Sequence, residues 1–546
     1  MSFRRLLLLL LLLLATLPLG AQAPSGPAAD DPVVRAMKME LGRSMKQLRL
    51  ENVQAPYYIE YSVVEVDHFA ADAVFGASRH RLRSGARLVR AVVRVGDYKE
   101  DSYEGAGQGR VEILPQDDDL LVLRHQLWLA TDSAYKQAIE ALTAKQAKLK
   151  QLEVEHSADD FAKAPALQLI APLAKLEIDE NRWAQSLESA SALYRQLAEV
   201  QSFECGLRFT ATNRYFANSE GTVIRQGSTA YTVEISSSVQ APDGMRLDRG
   251  RSFVTSSALE LPSGEELQKA AGKVLDELKA LRAAPRVEEE YRGPVLFSAG
   301  SAGTVFMKLV APNILGRKPA IGSPARTLGD YAGSYKARVL PDFISVVDDP
   351  TATTAQGRRL MGTYAVDDEG VRGQAVTAVD KGELVAYLLG RQPIRDFPAS
   401  NGHARGGTSP VPGPAVSNLF VRSSQTASNA ELKKKLIDLC AQRSLPYCYR
   451  VESASRELVP RMLYRVFVND GHEELVRGAV FAELDTRALR NELIAAGDDY
   501  KVNNMTGAAP ESVIAPSILL QEVLVRRSTA HKQKLPVYPP PPEGAE

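Results

Sequence analysis

Five carboxylates lie within a short span of the second half of the chain. Asp348 and Asp349 stand before a proline, and residues 367–369 read Asp-Asp-Glu before a glycine. Calcium loops place their oxygen ligands at alternate positions and end in a bidentate Glu, so adjacent carboxylates lack the calcium spacing. Asp and Gly favour turns because both tolerate left-handed backbone. The pattern predicts two acidic turns that follow strands, with a weak calcium site as the alternative.

The histidines are too far apart in sequence to form a helical zinc site. Such a site has two His one turn apart, with a Glu beside the first as general base. None of the seven histidines lies within ten residues of another. His472-Glu473 begins the zinc pattern, but Val476 and Arg477 occupy the positions where the second His would fall. This segment is therefore predicted as a turn with a solvated acidic end.

A glycine-rich loop just after residue 400 carries side chains that could bind a ligand. Asn401, Gly402, His403 and Arg405 place an amide, an imidazole and a guanidinium on one short, adaptable backbone. These donors suit an extended peptide or an anion. The alternative is a glycine-rich hairpin end that binds nothing.

The three cysteines allow one short-range disulfide. Cys440 and Cys448 are close in sequence, and Pro446 favours a turn between them. Sequence alone does not supply the Cα separation that a disulfide requires, so two buried thiols remain the alternative. Cys205 is unpaired in either case and is predicted to be buried in a strand.

The segments around these residues predict an α+β fold with two domains. The first is a mixed α/β domain, and the second is a mostly antiparallel, barrel-like β domain. In the first half, helices are predicted over residues 33–50, 118–130, 134–154, 180–200 and 262–281, and strands over 57–66, 87–95, 203–212, 214–218, 221–225 and 231–239. In the second half, strands are predicted over residues 294–297, 344–347, 362–366, 374–378, 384–389, 463–468 and 517–525, helices over 429–443 and 486–496, and either state over 305–310.

The order of several motifs resembles the TldD/PmbA family of metalloprotease-like proteins, whose older name is modulators of DNA gyrase. The motifs are VVDDPTA, then GRRLMGTYAVDDEGVRGQAVTAVDKGELVAYLLGR, then SNGHAR, preceded in the first half by RYFANSEGT. The segments YYIEYSVVEV and RLVRAVVRVGDY resemble an exported branch of the family. The likeness runs from about residue 32 to residue 527. It implies that the acidic turns belong to the scaffold of the β domain.

The same resemblance implies a zinc site that this chain does not retain. Catalytic relatives carry His-Glu-x-x-x-His after a Gly-x-x-Gly, and a later Cys supplies a third ligand. Here residues 300–303 match the glycines, and Met307, Lys308 and Pro312 stand at the His, Glu and His positions. No cysteine follows Cys448. We therefore expect no cofactor, in contrast to the zinc of catalytic relatives.

The N-terminus predicts export. A basic start, a leucine run over residues 6–14 and the sequence Ala21-Gln22-Ala23 form a secretory signal with a cut after Ala23. The predicted order is signal peptide 1–23, linker 24–31, N-terminal domain 32–290, C-terminal domain 291–530 and Pro-rich tail 531–546. No later segment is apolar enough to span a membrane, and the net charge of zero gives no basic surface for nucleic acid. The mature protein is expected to be periplasmic or secreted.

Together these features predict a TldD/PmbA-type metallopeptidase homologue without zinc. It would act in proteolysis as a non-catalytic partner subunit or as a peptide-binding module. The expected partners are a zinc-bearing paralogue or a second copy of the chain, together with peptide or unfolded polypeptide. One alternative is an active metallopeptidase that uses unconventional ligands such as His403. The other is a structural or carrier protein of the cell envelope with no proteolytic role.

Overall fold

The fold is described from a computed structural model that defines residues 31–103, 109–153, 158–406 and 411–529. The predicted signal peptide, all but the last residue of the linker, and the Pro-rich tail lie outside these residues. Within them, helices and strands mix throughout the chain, as the predicted α+β class requires.

The N-terminal half is organised by one sheet with four very long strands, β1 (Tyr58–Val74), β2 (Ala77–Arg94), β5 (Val200–Asn218) and β6 (Val223–Gln240). The sheet order is β3-β2-β1-β5-β6-β4, with β7 paired to β6. The sequence predicts a break near Asn213, but β5 continues through it. Asn213 stays extended because its side-chain amide bonds the backbone N–H and C=O of Ala174 at 2.7 and 3.1 Å.

Four helices cover one face of this sheet. Successive side chains of a strand point to opposite faces, and the odd-numbered residues of β1 and β5 face the helices. Phe69, Phe203 and Phe209 pack there with Leu267 of a helix, and each of these side chains is fully buried. The even-numbered residues consequently face the C-terminal half of the molecule.

The long helix Leu120–Leu152 corrects one prediction. The sequence predicts two helices divided by Asp132, but a single helix begins after the N-cap Asp119. Asp132 instead forms an ion pair with Lys136 at 2.7 Å, one turn further along the same helix. An aspartate, which favours an N-cap, is also tolerated on an exposed helical face when it pairs with a lysine one turn away.

The C-terminal half contains two larger sheets around one core. Their strand orders are β13-β12-β9-β16-β24-β23 and β17-β22-β25-β8-β18-β19-β20, with β21 paired to β25. Neither sheet closes into a barrel within the described residues, so barrel-like is a loose description of this domain, whereas the α+β class is confirmed. Helix α5 (Ala299–Leu309) packs against β18, β23 and β24, and its Val305 and Phe306 are fully buried in the shared core.

Two predicted strands of this half are mainly loops. Residues 362–366 form no strand, and residues 384–389 contain only the end of the two-residue strand Glu383–Leu384. A helix is predicted over residues 486–496. The observed helix ends at Glu492, and a strand begins at Leu493.

The described residues form helices and strands with the following bounds. The α-helices are α1 Pro32–Gln47, α2 Leu120–Leu152, α3 Glu180–Ser191, α4 Gly264–Ala283, α5 Ala299–Leu309, α6 Asn429–Gln442 and α7 Thr486–Glu492, and short 3₁₀ helices span Ala192–Gln196, Ala258–Glu260 and Ala311–Asn313. The strands not yet given are β3 Arg110–Leu114, β4 Gln168–Ile170, β7 Arg246–Thr255, β8 Tyr291–Phe297, β9 Ile344–Asp348, β10 Thr354–Ala355, β11 Arg358–Arg359, β12 Val376–Asp380, β13 Glu383–Leu384, β14 Ala404–Arg405, β15 Gly413–Pro414, β16 Asn418–Ser423, β17 Thr426–Ala427, β18 Tyr447–Ala454, β19 Pro460–Phe467, β20 Glu473–Val476, β21 Ala479–Ala482, β22 Leu493–Gly497, β23 Lys501–Met505, β24 Glu511–Ala515 and β25 Ile518–Arg527. None of the helices in these ranges has the length and apolar character that a membrane crossing needs.

Candidate functional site

Met307 and Lys308, which the resemblance assigns to zinc, lie in helix α5, and Pro312 lies just after it in the 3₁₀ helix Ala311–Asn313. The glycines of α5 fix where the helix lies. The backbone oxygen of Gly300 accepts a hydrogen bond from the Asn503 side chain at 3.0 Å. A Cβ at Gly303 would collide with the same amide group. The two glycines therefore allow strand β23 to pack directly against the helix, which is a structural role.

The side chains at the zinc positions do not fit a zinc ion. Met307 is half-buried against the core, whereas Lys308 and Pro312 are exposed. A thioether is a weak ligand, an ammonium has no lone pair, and a proline ring offers no donor atom. Across the residues with defined positions, no three His, Cys, Asp or Glu side chains form a group suited to a metal.

The second acidic segment is a buried turn, as its sequence predicts. Asp367 accepts hydrogen bonds from the backbone N–H of Glu369 at 3.0 Å and of Val371 at 2.8 Å, and its other oxygen accepts one from Ala404 at 3.0 Å. Burial, with the nearby Glu369, raises the pKa of Asp367 well above its usual range. The carboxyl is therefore fully used in holding the turn against strand β14.

His403 is enclosed by a second set of buried polar groups. Its Nε2 is hydrogen-bonded to Oδ1 of Asp348 at 3.1 Å, and its Nδ1 contacts Oδ1 of Asn401 at 2.9 Å. Asp348 also accepts a hydrogen bond from the backbone N–H of Ser417 at 3.0 Å. His403 and Asp348 are fully buried. Both ring nitrogens are occupied within the protein, so the geometry gives His403 a structural role.

The candidate binding loop thus divides into an inner and an outer part. Asn401 bonds the backbone of Tyr387 and Leu389, and the carbonyl of Gly402 accepts a hydrogen bond from the hydroxyl of Tyr364 at 2.8 Å. Asn401, Gly402 and His403 therefore hold the loop on the side away from the cleft. Arg405 alone among the four reaches the wall of a large cleft.

Arg391, which sequence reasoning missed, joins the two halves of the molecule. Its guanidinium is fully buried and donates to Glu220 at 2.7 Å, to the backbone oxygen of Ala162 at 2.6 and 2.9 Å, and to the hydroxyl of Tyr58 at 3.3 Å. Its backbone N–H donates to Glu369. Glu220 lies in the NSEGT turn and Glu369 in the acidic turn, so the two family-like motifs meet at this arginine.

Close approach of the same two turns requires a glycine. Gly370 has a φ of +83°, and a Cβ there would lie 2.8 Å from the Phe216 ring and 3.2 Å from Thr222. The acidic turn and the NSEGT turn are therefore complementary surfaces of an internal junction.

A cleft of about 840 Å³ lies between the two halves beside this junction. Its floor is the even-numbered face of β5 and β6, which presents small and hydroxyl-bearing side chains. The opposite wall comes from residues 360–366 and from residues 506–510, which directly follow β23. The floor side chains are Thr210, Thr212, Ser228, Ala230 and Thr232. The cleft is within the range of known ligand pockets, which is about 300–1,000 Å³.

Charged groups converge at one end of the cleft. Arg214 forms an ion pair with Asp368 at 3.1 Å, and Nε of Arg405 lies 3.9 Å from the other Asp368 oxygen. Burial alone would raise the pKa of Asp368, but Arg214 and Arg405 hold it below its usual value. Arg208 also lines the cleft. The described lining residues therefore include three arginines and one carboxylate.

The cleft floor could have been inferred from strand alternation. The segment RFTATNR carries Thr at every second position, and QGSTAYT places small residues on the same face of the neighbouring strand. A face of small polar side chains opposite a face of Phe and Leu is typical of an antiparallel sheet with one face on the core and the other toward solvent.

The structure pairs Cys440 with Cys448 in a disulfide, with 6.1 Å between the Cα atoms. It links α6 to β18 in a small separate core. Cys205 is buried in β5, and burial raises the pKa of its thiol to about 12. None of the three cysteines lines the cleft.

Comparison with known proteins identifies relatives of the second half and of the whole fold. Residues 290–527 match the family described as the PmbA/TldA metallopeptidase C-terminal domain. No curated protein sequence matches the chain. Similar solved structures include TldE from Thermococcus kodakarensis, with a TM-score of 0.58, 12% identity, and coverage of 90% of this chain and 99% of that one.

Two further structures are similar over the same extent. A protein described as a DNA gyrase modulator from Thermotoga maritima MSB8 has a TM-score of 0.58 and 13% identity, with coverage of 90% and 99% of the two chains. Another from Bacteroides thetaiotaomicron VPI-5482 has a TM-score of 0.57 and 14% identity, with coverage of 90% and 98%. At such identities the likeness establishes a shared fold over both halves.

Proposed function

The chain belongs to the TldD/PmbA family, and from that premise we propose that it is an exported member without zinc that binds extended polypeptide and does not cleave it. It would act as the non-catalytic partner of a zinc-bearing paralogue or as a separate peptide-binding module. Membership rests on the match of residues 290–527 and on the shared fold.

The observation that carries the proposal is the chemistry of three positions in α5 and the short helix that follows it. Met307, Lys308 and Pro312 stand where a hydrolytic relative needs two imidazoles and a carboxylate. An exposed lysine there would repel a divalent cation, and no neighbouring cysteine, histidine or carboxylate cluster of the described residues compensates. The residues present at this site therefore do not fit zinc.

The cleft supports the binding part of the proposal. A strand-shaped floor of small side chains can receive an extended chain, and its hydroxyls can bond a peptide backbone. Strand β23 packs on α5 and leads directly into the wall at residues 506–510. None of the described α5 residues lines the cleft itself, so strand β23 is the link between a bound polypeptide and that helix.

The proposed location and partner rest on the sequence. The N-terminal leucine run and the Ala-x-Ala cut define the export signal. The resemblance implies zinc-bearing paralogues, which is the reason to search for such a partner in the same organism. An exported chain would meet its partner and substrate outside the cytoplasm.

The test measures metal content and hydrolysis on the mature protein from residue 24 onward. We expect less than stoichiometric zinc by elemental analysis and no cleavage of unstructured peptides, with or without chelator. We also expect those peptides to bind. Stoichiometric zinc with chelator-sensitive cleavage would show that the protein is an active metallopeptidase, and His403→Ala would then test the unconventional ligand directly.

A further inference from the structure

Arg405 is a buried cation whose hydrogen-bonding capacity is unused. Its side chain is 9% exposed, and among the described residues its Nη1 is closed to solvent with no hydrogen-bond partner. The contact with Asp368 at 3.9 Å is too long for a hydrogen bond. A guanidinium has five N–H donors, and leaving them unpaired away from water is costly. Within the described residues, Arg405 is held by stacking on the Tyr364 ring at 4.4 Å.

The neighbouring carboxylate is already engaged. Asp368 accepts a hydrogen bond from the N–H of Gly406 at 2.9 Å and pairs with Arg214 at 3.1 Å. Among the described residues that line this end of the cleft, one carboxylate faces two guanidinium groups, so their formal charges sum to a positive value. Glu511 is the other acidic group that Arg405 influences, and burial raises the pKa of that carboxyl although Arg456 and Arg405 oppose the rise.

From this geometry we infer that the Arg405 end of the cleft binds a carboxylate of the bound polypeptide. The planar fork of a guanidinium matches a carboxylate with two parallel hydrogen bonds. The carboxylate could belong to an Asp or Glu side chain or to the C-terminus of the polypeptide. The inference rests on the proposed peptide-binding function and adds the chemistry that the cleft selects.

The position of Arg405 also sets where the carboxylate would lie along the chain. Arg214 follows Thr210 and Thr212 on the cleft face of β5, so the positive end continues the row of floor hydroxyls. An extended chain above that row would keep its backbone over the hydroxyls and bring one acidic group to the two arginines. The cleft therefore selects an extended polypeptide with a carboxylate at one end of the bound segment.

The test compares three labelled, unstructured peptides of about ten residues, each about 33 Å long when extended. The first carries internal Glu and an amidated C-terminus. The second replaces Glu by Gln and keeps a free C-terminal carboxylate, and the third has Gln and an amidated C-terminus. Binding to the full mature chain is measured by fluorescence polarisation. We expect the first or the second peptide to bind about tenfold tighter than the neutral third peptide. Tighter binding of the first indicates a side-chain carboxylate, and tighter binding of the second indicates a terminal one.

Two variants should change this preference in opposite directions. Arg405→Met removes the cation and should abolish the tenfold preference, and Asp368→Asn removes the competing carboxylate while keeping an acceptor for Gly406. Asp368→Asn should tighten binding of the acidic peptide several-fold. The matched control is Arg292→Met, because Arg292 is a half-exposed arginine that pairs with Glu483 and Glu522 outside the cleft.

The possible outcomes separate this inference from the proposed function. Equal affinity for all three peptides, or equal weakening of acidic and neutral peptides by Arg405→Met, would overturn the carboxylate site and leave peptide binding intact. Failure of all three peptides to bind would overturn both. If Arg405→Met does not fold by circular dichroism, Asp368→Asn alone decides, and unchanged or weaker acidic-peptide binding in that variant refutes the inference.

Discussion

Arg391 and Arg405 are both buried arginines of the C-terminal half, and their surroundings differ sharply. Arg391 donates hydrogen bonds to Glu220, to Ala162 and to Tyr58, whereas Arg405 has a ring beneath it and a distant carboxylate. The first arginine is saturated by the protein itself and the second is not. Burial alone therefore does not show whether an arginine is paired within the protein or, as we propose for Arg405, left for a ligand to pair.

Removal of the saturated arginine should have the largest effect. Arg391→Met leaves Glu220 and the Ala162 carbonyl without their buried partner, and we expect the free energy of unfolding to fall by about 3–5 kcal/mol. Urea unfolding of the full mature chain measures it. Arg405→Met in the same assay should cost about 1–2 kcal/mol, chiefly the lost stacking. Equal losses would remove the distinction between the two arginines.

A smaller loss should follow from crowding the junction that Arg391 completes. Gly370→Ala adds a methyl group against Phe216 at a left-handed backbone position, for an expected loss of about 2–3 kcal/mol. Gly357→Ala is the matched control, since Gly357 also has a positive φ of +71° but no atom lies within 4 Å of its added Cβ. It should cost about 1 kcal/mol. If both variants lose the same amount, the turns do not pack as closely as described.

The smallest effects should be opposite pH dependences of two adjacent carboxyls. Arg214 and Arg405 overcome burial to lower the pKa of Asp368, so its contribution to stability is present above the unfolded pKa and is lost as pH falls. Burial raises the pKa of Glu369, so its contribution is present below the unfolded pKa and is lost as pH rises.

Unfolding measured between about pH 3 and pH 7 should separate these two groups. Relative to the natural protein, Asp368→Asn should lose stability as pH rises, whereas Glu369→Gln should gain it. If the stability of both variants, relative to the natural protein, changed in the same direction with pH, the two carboxyls would have similar electrostatic surroundings.

The local sequence pattern predicted the turn at residues 367–370 because Asp and Gly act through neighbouring backbone, whereas Asp348 ends strand β9 and bonds the distant Ser417. Residues 367–370 form a turn whichever sheet they join, and Asp367 bonds the N–H groups that follow it. The fold class followed in the same way from the alternation of residues along β1 and β5. The resemblance extended this to the whole chain through the order of its motifs.

Long-range contacts could not be read in the same way. The sequence predicts His403 as a binding residue, but in the structure its ring is hydrogen-bonded to Asp348, which is far away in sequence. Strand lengths were underestimated because Asn213 has turn propensity but finds its partners in Ala174. Arg391 carried no local signal, since its role depends on a turn of the other half.

The junction draws its members from widely separated parts of the chain, namely residues 58, 162, 220, 369 and 391. A fragment made only of residues 290–527 would retain the arginine and lose every acceptor that the N-terminal half provides. It would present a bare cation and a hydrophobic rim to water, and would be prone to aggregate. Production of the two halves as separate polypeptides should therefore fail, whereas co-expression of the halves should allow each to rescue the other.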